Sequence, residues 1–84
     1  MRFHRTTEGE FTRLIETKTI LKLIAQESEV VPDKFCLVGI NPHERIGYAI
    51  RHGRVDDLRT WRLDNLVKFL KKQSQIIPLE VQYK

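Results

Sequence analysis

Residues 20–32 read ILKLIAQESEVVP, and residues 66–78 read LVKFLKKQSQIIP. Laid over each other at an offset of 46, they match apolar to apolar at 20/66, 21/67, 23/69, 24/70, 30/76 and 31/77, with Lys22/Lys68, Ser28/Ser74 and Pro32/Pro78 identical. The spacing predicts a helix in each. The first is capped by Thr17 or Thr19 and runs to about Glu27, with Ile20, Leu21, Leu23 and Ile24 as its stripe. The second takes Asp64 as N-cap and Leu63 as staple, turns Leu66, Val67 and Leu70 inward with Phe69 flanking, and leaves Lys68, Lys71 and Lys72 in water. The β-branched pairs Val30-Val31 and Ile76-Ile77, each before a proline, stop both helices.

Working outward, KFCLVGI (34–40) is too short for an independent helix and is bounded by Pro-Asp and Asn-Pro. It reads as a central strand buried on both faces, with Cys36 as a small hydrophobe. NPHER (41–45) is a turn. Residues 45–52 alternate Ile46, Tyr48 and Ile50 against Gly47, Ala49 and Arg51, a half-buried strand with small residues where something packs closely. HGRVDD turns, LRTWR reads as another strand, and LEVQY closes the chain with Leu79, Val81 and Tyr83 inward.

The N-terminal segment admits two readings. Either MRFHR and FTRLIET are strands of a hairpin around a Gly-bearing turn, or Thr7 and Glu10 form a capping box that starts a helix with Phe11, Leu14 and Ile15 on one face. Extending the offset pairs residues 1–38 with 47–84, adds the identities Arg5/Arg51 and Arg13/Arg59, and favours the hairpin, because YAIRHGRVDDLRTWR (48–62) reads as strand, turn, strand. The expectation is a single α+β domain over 1–84. It has one sheet of about six short strands with two helices on one face, arranged as a tandem ββαβ duplication joined by the loop 39–46. Short exposed edge strands of such a sheet also invite a homodimer.

Eighty-four residues, 40% hydrophobic and 31% charged, support one thin core and surface sites in preference to a deep cleft. The lone Cys36 excludes an intrachain disulfide. The N-terminus shows no apolar signal region, and no apolar run is long enough to span a membrane, so the cytoplasm is the expected location and no membrane partner is expected.

An enzyme is not expected, and no cofactor or metal is implied. His4, His43 and His52 lie in separate segments without a second cysteine, no Gly-rich phosphate loop is present, and Cys36 sits where a thiolate is disfavoured. The net charge of +4 resides entirely in the second half: residues 1–46 carry seven Lys or Arg against seven Asp or Glu, and residues 47–84 carry eight against four. This asymmetry predicts a small regulatory protein that binds nucleic acid, DNA or RNA, through Arg51, His52, Arg54, Arg59, Arg62, Lys68, Lys71 and Lys72. Asp56 and Asp57 interrupt that cluster, and it lacks aromatic interleaving of the kind that stacks bases, since Trp61 reads as core. The alternative is a protein-interaction module, an adaptor or inhibitor, that uses a sheet face or edge strand, with Tyr48, Tyr83 and Arg62 as contact residues.

Overall fold

Thr7 and Glu10 settle the N-terminal segment as a helix. In the computed structural model, which describes residues 1–52 and 57–83, the Glu10 N–H donates to the Thr7 hydroxyl at 3.1 Å and the Thr7 N–H donates to the Glu10 carboxylate at 2.8 Å. This capping box satisfies donors that the helix itself cannot pair, and α1 (Glu8–Glu16) follows directly on β1 (Arg2–Thr6). The bond from the Thr7 backbone holds the Glu10 carboxyl below its ordinary range, with the Thr7 hydroxyl adding to the effect. Phe11 and Ile15, one turn apart, are fully buried. The expected hairpin is therefore corrected to a strand and a helix.

At its other end α1 closes in a Schellman motif. The Thr19 N–H reaches the Leu14 carbonyl at 2.9 Å and the Lys18 N–H reaches the Ile15 carbonyl at 3.1 Å, with Lys18 at a φ of 60°. Thr17 and Thr19 thus end one helix and do not begin another. Lys18→Gly is expected to raise stability by roughly 1 kcal/mol, because glycine takes positive φ without the Cβ clash. A thermal melt checks this, and an unchanged or lower Tm would count against it.

After the reversal the chain is extended, and residues 22–27, expected to be helical, form β2 (Lys22–Glu27). Leu23 and Ala25 are buried on one face, whereas Lys22 is exposed and Ile24 and Gln26 are half-buried on the other. β2 is hydrogen-bonded on both sides, antiparallel to β3 (Phe35–Asn41) and parallel to β5 (Leu79–Gln82). Two full ladders outweigh a short helix that would be marginal by itself. The turn at 42–45 is as expected: the Asn41 side-chain oxygen accepts from the His43 and Glu44 N–H groups, both at 3.0 Å. It leads to β4 (Ile46–Ile50), and α2 (Leu63–Lys71) packs Leu66 and Leu70 into the core. The N-cap of α2 is Arg62, without a side-chain cap bond, and not Asp64, whose carboxylate accepts from the Asn65 N–H inside the first turn.

The result is an α+β fold with one mixed five-stranded sheet in the order β1-β4-β3-β2-β5. β3 alone runs against the others. The expected strand LRTWR makes only isolated antiparallel bridges, Arg51 to Leu58 and Phe35 to Trp61. These wedge residues 58–61 between the end of β4 and the start of β3, so the described residues contain five strands and not six. The ββαβ duplication is corrected as well. The two helices begin 55 residues apart, at Glu8 and Leu63, and the offset of 46 lays a strand over a helix. Two βαβ units are present, β1-α1-β2 and β4-α2-β5, and they interleave.

Both crossovers move across the sheet in the same direction, so with a common hand they place both helices on one face. The core agrees: Phe11, Ile15, Leu66 and Leu70 join Leu23, Ala25, Phe35, Leu37, Ile50 and Trp61 in a single buried cluster. Every strand residue in that cluster belongs to one face of the sheet. β3 is thus central but not buried on both faces as expected, since Cys36, Val38 and Ile40 are only half-buried.

Candidate interaction surfaces

Of the eight basic residues expected to form one surface, the seven described ones do not lie together. Arg59 is committed to the helix side. Its guanidinium lies 3.7 Å from the centroid of Trp61 and pairs with Glu8 at 2.9 Å, so it ties the start of α1 to the aromatic pair Trp61–Phe69. Arg51 is half-buried at the end of β4, donates its N–H to the Thr6 carbonyl at 2.9 Å, and lies close enough to Glu10 to lower its pKa. Arg62 faces Asp64 at 3.4 Å in an exposed pair, which is worth little in water. Lys68 and Lys71 on α2 and Lys72 at its C-cap are exposed. His52 is exposed and lines a groove on the opposite side of the sheet. Arg54 and most of HGRVDD lie outside the described residues.

That opposite side is the more distinctive surface. Neither described helix covers it, yet the strands present Phe3, Ile24, Cys36, Val38, Ile40 and Ala49 there. A Cβ on Gly47 would fall 2.5 Å from Phe3 Cε1, so the Phe3 ring lies across the Gly47 backbone. This is the close packing that the small residues of β4 imply. At one end the open face deepens into a groove of about 680 Å³, floored by Cys36 and Val38 and walled by Val30, Val31 and Leu58. Val30 is 87% exposed. The rest of the described lining is polar and contains Glu27, Glu29 and Asp57 against one imidazole, His52.

The loop that walls this groove is built locally. Ser28 Oγ accepts from the Val30 and Val31 N–H groups at 3.2 and 3.1 Å, the Glu27 carboxylate accepts from the Asp33 N–H at 3.2 Å, and Asp33 has a φ of 62°. Ser28 and Val30-Val31 carried the internal repeat in the sequence, but as a helix stop; their role in a groove wall had no local signal. Burial pushes the Cys36 thiol above its ordinary pKa, which disfavours the thiolate.

On the helix side a second depression of about 660 Å³ lies between β1, β4 and α1, lined by His4, Arg5, Thr6, Gly9, Glu10, Arg13, Leu14 and Tyr48. His4 stacks on Tyr48 with centroids 5.8 Å apart, so Tyr48 is a wall residue here and not a contact on the open face. Among the described residues no three His, Cys, Asp or Glu side chains come together as a metal site, and no helix is long and apolar enough to cross a membrane. A scan against protein-family models and searches of curated proteins and of solved structures find no match.

Proposed function

We propose that this protein is a non-enzymatic interaction module that takes an apolar anchor of a partner polypeptide, flanked by basic residues, into the groove on its open sheet face. The observation that carries this reading is the uncovered row Ile24, Cys36, Val38 and Ile40 running into a groove whose wall exposes Val30. An apolar floor with a polar rim is the anatomy of a polypeptide-binding surface. Carboxylates outnumber cations in the described lining, which favours a basic flank on the partner and disfavours phosphate.

A second reading keeps nucleic acid as the partner, bound through Arg62, Lys68, Lys71 and Lys72 on α2. It is supported by their exposure and weakened by the engagement of Arg51 and Arg59 within the fold.

One set of titrations separates the two. Peptides selected from a random display library are expected to share an aliphatic or aromatic anchor beside Lys or Arg, and to bind at least about tenfold more weakly to Val38→Lys. Duplex DNA and single-stranded RNA are expected to leave the fluorescence anisotropy unchanged at low salt. Nucleic-acid binding that is lost on reversing Lys68, Lys71 and Lys72 to Glu would replace the first reading with the second.

A further inference from the structure

The two edges of the sheet are chemically unlike. β1 ends it on one side with Arg2 and Arg5 in a strand of five residues, so two β1 edges brought together set guanidinium against guanidinium. β5, Leu79-Glu80-Val81-Gln82 with Tyr83 directly after it, ends it on the other side, and no described strand pairs its outer edge. Beside that edge apolar side chains remain in water: Ile76 and Tyr83 are each 77% exposed and Val81 is 37% exposed. Leu79 and Val81 lie on the helix face, opposite the buried Leu23 and Ala25. Val81 and Tyr83 were expected to point into the core; Val81 keeps to the helix face of the outermost strand, and Tyr83, just past that strand, is exposed.

A shallow apolar pocket of about 190 Å³, lined by Val67, Leu70, Lys71, Ile76, Ile77 and Leu79, opens next to this strand. We propose that β5 pairs antiparallel with β5 of a second copy of this chain, about a twofold axis through Val81, and that the second copy's Tyr83 covers this pocket.

The register carries the inference. Antiparallel pairing centred on Val81 sets Val81 against itself, Leu79 against Tyr83, and Glu80 against Gln82. Opposed side chains then stand about 4.5–5.5 Å apart at Cβ. Leu79 lines the pocket, so the tyrosine directly across from it lies over the pocket on the same face, and the arrangement repeats on the other copy. On the opposite face each Glu80 meets a glutamine amide and not another carboxylate. Within one chain the Gln82 amide already donates to Glu80 at 3.0 Å, which shows that the two groups suit each other. Because the axis stands normal to the sheet, both helix layers stay on one side, and the dimer carries a continuous ten-stranded sheet.

Sedimentation equilibrium of the full chain from micromolar to sub-millimolar concentration tests this, with circular dichroism confirming that each variant is folded. Wild type is expected to be dimeric. Val81→Asp, which opposes two carboxylates at the axis on a solvent-facing strand, is expected to be monomeric, and Tyr83→Ala to weaken association roughly tenfold. In a Cys36→Ala background, Val81→Cys is expected to form a covalent dimer on mild oxidation, and Glu80→Cys is not. A wild-type monomer throughout the range overturns the proposal. So does a dimer that persists in Val81→Asp, including one lost instead on Val38→Lys, which would place the second copy on the open face.

Discussion

Phe11→Ala is expected to remove most of the stability of the fold. A buried Phe→Ala change costs about 3–5 kcal/mol, whereas a domain of this length holds about 4–13 kcal/mol in total. Phe11 is fully buried on α1 and shares one cluster with residues of β2, β3, β4 and α2, so the surrounding elements cannot collapse onto the vacancy independently. Denaturant titration followed by Trp61 fluorescence reads the loss directly. Phe3→Ala removes the same ring from the open face, where it is largely exposed, and is expected to cost well under 1 kcal/mol. Similar costs for the two would contradict the placement of both helices on one face.

The second large effect is expected at Gly39. On the helix face of β3, a Cβ there would lie 2.6 Å from Ile20 Cδ1 and 2.9 Å from Ile20 Cγ2. Ile20 is fully buried and has no solvent to swing into. Gly39→Ala is therefore expected to cost about 1–3 kcal/mol through overpacking. Trimming Ile20 to Val in the same chain is expected to recover part of it, a coupling that additive changes do not show. Gly47→Ala on the other face would press only on the exposed Phe3 ring, which can move aside at little cost. Equal penalties at the two glycines, or strict additivity of the Gly39–Ile20 pair, would show that the contact is not the cause.

Much of the architecture was legible in the sequence where local chemistry was unambiguous. KFCLVGI between its prolines is the central strand, Asn41-Pro42 makes its turn, Ile46 to Ile50 alternates as a strand, and the stripe of Leu66 and Leu70 is a helix. The errors came from residues 20–27, where Ile20, Leu21, Leu23 and Ile24 fit a helical stripe while Leu23 and Ala25 fit a strand face equally well. The resemblance to residues 66–78 tipped that ambiguity the wrong way, and the same offset then overruled the Thr7–Glu10 capping box. Two reciprocal hydrogen bonds were better evidence than a similarity of hydrophobic pattern, because the pattern recurs in every amphipathic helix and the box has one geometric meaning.

The candidate site was less legible, for a different reason. Arg59 looked free because its partner Glu8 lies 51 residues away, and nothing local announces such a pair. The groove on the open face joins β2, β3, the 28–33 loop and residues 57–60, a juxtaposition that only the sheet order creates. Val81 and Tyr83 alternate as core residues do, but β5 is the outermost strand, and alternation does not tell how far the helices extend.

The interleaving of the two crossovers constrains how the chain can reach this state. β1 and β2 never touch, being separated by β4 and β3, and β4 and β5 are separated by β3 and β2. Among the described strands, the pairings between neighbours in sequence are the hairpins β2–β3 and β3–β4, which close on the microsecond timescale, whereas the outer strands must wait for long-range docking under their helices. A nascent chain that has released β1 and α1 still lacks β4, the described strand that pairs with β1, so the meander β2-β3-β4 is the assembly platform. The outer strands join it from opposite sides, and β5, which follows β1 in chain order, is the edge that the second copy would use.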